Sequence, residues 1–277
     1  MKYNDLWREL AAVYGEGEAK AVCRTVLDDL FGLSLTDIVC GAVERLSPSD
    51  TLLLERAKER LAHGEPVQYV TGKAPFAGRM FHVAPGVLIP RPETERLCSI
   101  VSSAVCRLPH SDILDIGTGS GCIACTIALD SDSHRVTAWD VSDDALRIAS
   151  ENAASLGAEV CFVKQDALHA PADTDKWDAI VSNPPYICHK EKKDMHANVL
   201  DNEPYLALFV PDDDPLLFYR NIAAYGLHAL RSGGWLCFEI NALYARETEG
   251  MLGRLGYRDI KTEKDIFGRD RYTICRR

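Results

Sequence analysis

From Ser111 onward the chain alternates short apolar runs with segments of helical periodicity, and this alternation restricts its fold more than any other feature. Apolar runs fall near residues 112–116, 135–139, 159–163, 177–182, 234–240, 257–261 and 271–275, and helical patterns near 119–129, 143–156, 214–231 and 242–254. Strand and helix taking turns predicts a largely parallel sheet covered on both faces. The last two strands have no long helix between them, which predicts an antiparallel end hairpin. The expected class is α/β, with a mostly parallel seven-stranded sheet.

Residues ahead of this region read differently. Leu6, Trp7, Leu10 and Val13 recur at helical spacing, as do Val22, Val26, Leu27 and Leu30. A third helix is expected from Pro48, capped by Ser47, to about His63, where Gly64 can end it. From Gly64 to Pro92, glycines and prolines punctuate the apolar pieces Val67–Val70, Met80–Val83 and Val87–Ile89, which read as strands of a β-hairpin linker. Pro92-Glu93-Thr94-Glu95 then opens a helix running to about Arg107. The expected domains are a helical domain at 1–73, a β-hairpin linker at 74–91 and an α/β domain at 92–277.

The charge balance narrows the partners. With 31 Lys and Arg against 41 Asp and Glu, the net charge of −10 is the wrong sign for an extended phosphate backbone, so direct nucleic-acid binding is not expected. The opening residues lack a signal-peptide pattern, and no apolar run has the length of a membrane span. Ten cysteines, several at core positions, point to a reducing cytoplasmic compartment. Cys122 and Cys125 fall one helical turn apart with no second Cys or His pair at partner spacing, so no metal is expected. The run Asp212-Asp213-Asp214 is expected to cap the helix that follows it.

Four strand ends carry polar chemistry. Ile113–Ile116 leads into Gly117-Thr118-Gly119-Ser120-Gly121, a turn whose glycines let a ligand approach the backbone. Dinucleotide binders place their third glycine one residue later, where this chain has Cys122. Asp140 at the second strand end suits both hydroxyls of a ribose, and Asp166 after the third suits an adenine amino group. Either acid alone reads equally as a helix N-cap. The fourth strand ends in Ser182-Asn183-Pro184-Pro185-Tyr186, where consecutive prolines forbid further sheet pairing. Such a stiff segment, with free carbonyls, an amide and an aromatic ring, suits the holding of a flat NH2 group. It also reads as an ordinary turn.

These motifs resemble those of class I S-adenosylmethionine-dependent methyltransferases that act on nitrogen. Over nearly its full length the chain resembles release factor glutamine methyltransferases of the HemK/PrmC type. Gly64–Gly72 is similar to that family's first linker signature and Leu88–Glu95 to its second. Glu203-Pro204 with Ala207-Leu208, and Asp265–Gly268 with Arg271, also match. The resemblance implies a Rossmann-like class I methyltransferase fold behind a small helical domain. It implies a monomer that transfers the methyl group of S-adenosylmethionine to the glutamine side chain of the release-factor Gly-Gly-Gln motif. By position, Gly117, Thr118, Gly119, Ser120, Gly121, Asp140 and Asn183 would touch the cofactor, with Asp166 and Ala167 beside its adenine. Asn183, Pro184, Pro185 and Tyr186 would hold the substrate amide, with Asn183, Pro184 and Tyr186 catalytic. The chain departs from the family pattern at Ala167, where an aromatic residue is common, at Pro215, and at Asn241 and Tyr244, where Gly and Gln are usual. A ribosomal-protein glutamine, DNA adenine and rRNA guanine present a similar NH2 and remain the alternatives at this stage.

Overall fold

The computed structural model describes residues 2–277, and its internal contacts divide the chain into two compact units. The first comprises residues up to Lys73 together with Val83–Pro85 and His196–Asn202. Its longest element, α1 (Tyr3–Phe31), is broken at Gly15, whose φ of 75° and ψ of 163° are not helical. The two apolar stripes read from the sequence lie on either side of that break. Gly32 ends α1 in the left-handed region, and a Ser34–Asp37 capping box starts α2 (Leu35–Val39). Helix α3 (Pro48–Ala62) begins with proline in its first turn and Ser47 accepting from the Asp50 amide. Leu6, Leu10, Leu27, Leu54 and Leu61 meet in one core.

Val67–Val70 is not a strand. It forms the short helix α4 (Val67–Thr71), stopped by Gly72 at φ 72°. Arg60 explains the coiling. Its guanidinium donates to both oxygens of Glu65 and to the carbonyls of Tyr69 and Val70, so it gathers a stretch that an extended chain would spread out.

In the second unit, β1 (Lys73–Phe76, from Ala74 on) and β2 (Arg79–His82) form a hairpin whose Phe76 and Phe81 rings meet edge to face. The Val87–Ile89 piece adds no strand to it. Val87 and Ile89 are buried as side chains, and the Ile89 amide donates to Glu203 rather than to a neighbouring strand. Next come α5 (Pro92–Val105), β3 (Ser111–Ile116), α6 (Cys122–Asp130), β4 (His134–Asp140), α7 (Asp143–Leu156), β5 (Val160–Lys164) and β6 (Trp177–Ser182). A small parallel pair follows, β7 (Ile187–Cys188) with β8 (Phe209–Val210), and the chain between them holds α8 (Ala197–Asn202), grouped with the first unit, and α9 (Tyr205–Leu208). The closing elements are α10 (Leu217–Ala229), β9 (Leu230–Glu239), α11 (Ala245–Leu255), β10 (Arg258–Lys264) and β11 (Asp270–Arg276).

Seven strands make the main sheet, in the order β10-β11-β9-β6-β3-β4-β5. β11 runs antiparallel to both β10 and β9, and the other pairs are parallel. One face buries Leu97, Val101, Ile123 and Ile127 against Ile113, Val136 and Ala138. The opposite face buries Tyr219, Ile222 and Leu252 against Leu114, Ile116, Ile180 and Phe238. The acidic run does not cap α10, which begins only at Leu217. Asp214 instead pairs with both arms of Arg220, and Asp212 accepts from the Lys190 amide.

Packing on the second face is tight at one glycine. A Cβ on Gly226 of α10 would lie 2.5 Å from the hydroxyl of buried Tyr257, which donates to the Ala223 carbonyl. Alanine favours a helix over glycine by about 1 kcal/mol, whereas overpacking of this kind costs about 1–3 kcal/mol. Gly226→Ala is therefore expected to destabilise the protein in urea denaturation. Removing the hydroxyl with Tyr257→Phe should recover part of that loss, making the double variant less destabilised than the sum of the singles.

Candidate functional site

Register brings the sequence-predicted residues to one edge of the sheet. Ile116 lies opposite Trp139 on one side and Ser182 on the other, and Asp140 lies opposite Lys164. The Gly117 loop, Asp140, Asp166 and Asn183 therefore leave four adjacent parallel strands at the same end. Ligand sites form where such strands end beside helix N-termini.

The glycine loop is built by three residues with positive φ, Gly117 at 77°, Gly119 at 55° and Gly121 at 79°. Their roles differ. A Cβ on Gly121 would meet Ala149 of α7 at 3.0 Å, so this glycine lets two helices close on each other. A Cβ on Gly117 or Gly119 would meet nothing within 4 Å, leaving open space over the loop for a ligand. The Gly117 and Thr118 amides both donate to the Trp139 carbonyl, tying the loop to β4. Thr118 and Ser120 are buried side chains, so contact between these residues and a ligand in that space falls to their backbone.

Asp140 accepts from the Gly119 amide through one carboxylate oxygen and from the Ser142 amide through the other, each at 2.9 Å. Burial raises its pKa, and these amides hold it down. The Val141 amide adds a third such contact, and the carboxylate keeps acceptor capacity for a ligand hydroxyl. Asp166 behaves as the N-cap that its sequence context allowed. It accepts from the Leu168 amide at 2.8 Å, and its other oxygen meets His169 Nδ1 at 2.7 Å. The His169 contact lowers its pKa. Ala167 follows it and packs on the second-face core. Beneath the loop, Asp115 is fully buried, and burial lifts its pKa to about 7 against the pull of the Thr118 hydroxyl.

Asn183-Pro184-Pro185-Tyr186 rests on a buried polar network. Ser182 donates to the Ile116 carbonyl at 2.6 Å, fixing where β6 ends. Asn183 Nδ2 lies 3.4 Å from Thr94 Oγ1, and Thr94 donates to Glu239 Oε2 at 2.7 Å. Tyr186 donates to the other oxygen of Glu239 at 3.2 Å. Burial raises the pKa of Glu239, while Thr94, Arg271 and Tyr186 oppose the rise. Burial and the Glu239 charge push the Tyr186 phenol upward as well. Asn241 donates through Nδ2 to the Tyr186 carbonyl at 3.0 Å and also reaches both oxygens of Glu191 at 3.1 Å.

Sequence reasoning did not assign roles to Thr94, Glu239, Glu191 or Asn241. The available signal was an acid closing the apolar run Leu236-Cys237-Phe238, which a buried strand does not carry without partners. The Leu88–Glu95 signature also becomes physical here. Arg91 pairs with buried Glu203, Thr94 serves Glu239, and Glu95 accepts from the amide of Ala77, which has a positive φ.

Asp115 supplies a pH test. Its folded-state pKa lies above the ordinary value of 3.8, so its contribution to stability is complete below about pH 3.8 and is lost as pH rises through about 7. Asp115→Asn removes the charge yet keeps an acceptor for Thr118. Its stability relative to the parent should climb across that window by on the order of a few kcal/mol, then level off. A difference that stays constant from pH 4 to pH 8 in urea denaturation contradicts the assignment.

Comparison with known proteins places this geometry. Residues 6–72 match the PrmC N-terminal domain and residues 94–203 the Methyltransferase small domain. The chain is 46% identical to the release factor glutamine methyltransferase of Bacteroides thetaiotaomicron over 98% of this chain and 97% of that protein. It is 38% identical to that of Flavobacterium psychrophilum, covering 95% and 93%. A crystal structure of a methyltransferase from Pyrococcus furiosus, 18% identical, has the same fold with a TM-score of 0.53 over 80% of this chain and 98% of that one. A glycine loop open to a ligand, a carboxylate at the next strand end and an Asn-Pro-Pro-Tyr turn braced from behind thus occur in a chain that belongs to the release factor glutamine methyltransferase family.

Proposed function

We propose that this protein methylates the side-chain amide nitrogen of the glutamine in the Gly-Gly-Gln motif of peptide chain release factors, using S-adenosylmethionine. The observation that carries this is the full-length relationship at 46% identity, which includes the helical front unit as well as the catalytic fold. The site fits the cofactor. Open space over Gly117 and Gly119 accommodates it, and the Asp140 carboxylate at the strand end suits its ribose hydroxyls. Asp166, with Ala167, would lie beside its adenine. S-adenosylmethionine, when bound, supplies an electrophilic sulfonium methyl group.

A glutamine nitrogen is a poor nucleophile because its lone pair is delocalised into the carbonyl. Asn183 Oδ1 and the Pro184 carbonyl accept the two amide hydrogens, align the nitrogen and favour the positive charge that develops on it. The prolines keep those acceptors in place without help from the sheet. Tyr186 packs against the amide, and its hydroxyl is held by Glu239. Preorganised acceptors of this kind are worth on the order of 10²–10³ in rate for each one removed.

The protein is a cytoplasmic monomer on this reading, with the release factor as its partner and no direct contact to nucleic acid. The ten cysteines are all free, as a reducing compartment allows, and the net charge is −10. Among the described residues no helix is long and apolar enough to cross a membrane.

Labelled S-adenosylmethionine offered with release factors, ribosomal proteins, DNA and RNA tests the function. Label should enter the release factor and disappear when its Gly-Gly-Gln glutamine is replaced. Label confined to nucleic acid or to a ribosomal protein rejects the reading. Asn183→Ala should fold, melt near the parent temperature and lose at least 100-fold in kcat, in line with removal of a preorganised polar group worth about 10²–10³.

A further inference from the structure

We infer that Thr94 and Glu239 act as a positioning relay that fixes which end of the Asn183 side-chain amide faces the substrate. Thr94 Oγ1 donates its single hydroxyl proton to Glu239 Oε2 at 2.7 Å, the only direction open to the pair while Glu239 is ionised. Thr94 can then only accept from Asn183. The Asn183 atom facing it at 3.4 Å must be the NH2 group, because two acceptors would repel. Oδ1 is thereby turned away from the protein interior, where it can receive a hydrogen from the substrate amide.

The two ends of the Asn183 amide are nearly identical in shape, so packing alone cannot choose between them. A flipped amide would present a donor to a substrate NH2 that also donates. The relay removes that ambiguity before substrate arrives, which is what preorganisation requires.

The fold supplies the relay from three separate segments. Thr94 sits in the first turn of α5, held by its amide donating to the Arg91 carbonyl. Glu239 ends β9, one residue after Phe238, which lies opposite Ser182, and Asn183 follows Ser182 directly. Thr94 and Glu239 are each 2% exposed, so water does not compete for their hydrogen bonds. The second Glu239 oxygen accepts from Tyr186, which places both polar side chains of the motif under one carboxylate. Arg271 adds the countercharge; its own guanidinium is anchored by Asp265 at 3.2 Å.

This inference rests on the proposed reaction, and the two can fail separately. Thr94→Val keeps shape but removes both the acceptor for Asn183 and the donor to Glu239, whereas Thr94→Ser keeps the hydroxyl. Release-factor methylation is measured for both, together with S-adenosylmethionine affinity by calorimetry and thermal unfolding. Thr94→Val should lower kcat by about 10- to 100-fold, a polar-group effect. KM for the release factor and the affinity for S-adenosylmethionine should stay within about twofold of the parent, as expected when only the transition state is affected. Thr94→Ser should restore most of kcat. A Thr94→Val protein with parental kcat overturns the relay, as does a Thr94→Ser protein that is as slow as the valine variant. If Thr94→Val does not fold, Thr94→Ser against Thr94→Ala decides by the same criterion. A parent protein that fails to methylate release factors rejects the function itself.

Discussion

Parallel strands all end at the same edge of a sheet, and in this protein the register of β6, β3 and β4 decides what meets there. Ile116 is flanked by Trp139 and Ser182, so the glycine loop, Asp140 and Asn183 must emerge side by side. The loop is then tied down by its neighbours, with two of its amides donating to Trp139 and a third to Asp140. A shift of one residue in either pairing would send that strand's side chains to the opposite face of the sheet and move these groups out of line with one another. The site is therefore a consequence of sheet register, and the tight apolar packing on both faces is what holds that register.

A second constraint lies behind the Asn-Pro-Pro-Tyr turn. Glu239 is a carboxylate in an almost wholly apolar layer, and burying it is costly unless its oxygens are satisfied. Thr94, Tyr186 and the charge of Arg271 meet that requirement. Each of these groups is fixed in turn by something else, Arg271 by Asp265 and Tyr186 by Asn241 at its carbonyl. The network links α5, the turn after β6, β9 and β11. It gives a turn without sheet hydrogen bonds the rigidity that sheet pairing would otherwise provide.

What could be read from the sequence was whatever depends on nearby residues. The positive-φ glycines, the prolines that end β6 and the acid that ends β4 declare themselves within a few positions. The strand and helix order was equally legible, because period-two and period-3.6 patterns are local. Contacts between distant segments were not. Thr94 and Glu239 are 145 residues apart, and nothing in Pro92-Glu93-Thr94-Glu95 says which of its polar residues points inward. Val67–Val70 looked like a strand because a short apolar run has no distinctive period. Its helical form comes from Arg60 and Glu65, whose fork-like pairing is a property of the folded unit. Asp166 is the converse case. Its local N-cap role was legible and is observed, and it leaves a nucleoside role dependent on the lone pairs that remain.

The residues that follow Glu239 extend the network beyond the motif. Asn241 lies beside the motif, and its side chain would be disruptive there if its polar atoms were left bare. They are not. Its oxygen accepts from the Leu243 amide, while its nitrogen serves the Tyr186 carbonyl and the Glu191 carboxylate. Glu191 also accepts from the Cys188 amide, and the Cys188 thiol donates to the hydroxyl of Tyr244. Asn241 and Tyr244 therefore belong to one hydrogen-bonded patch that grips the chain as it leaves the motif. A polar side chain that looks unfavourable by itself becomes an additional brace once its partners are counted.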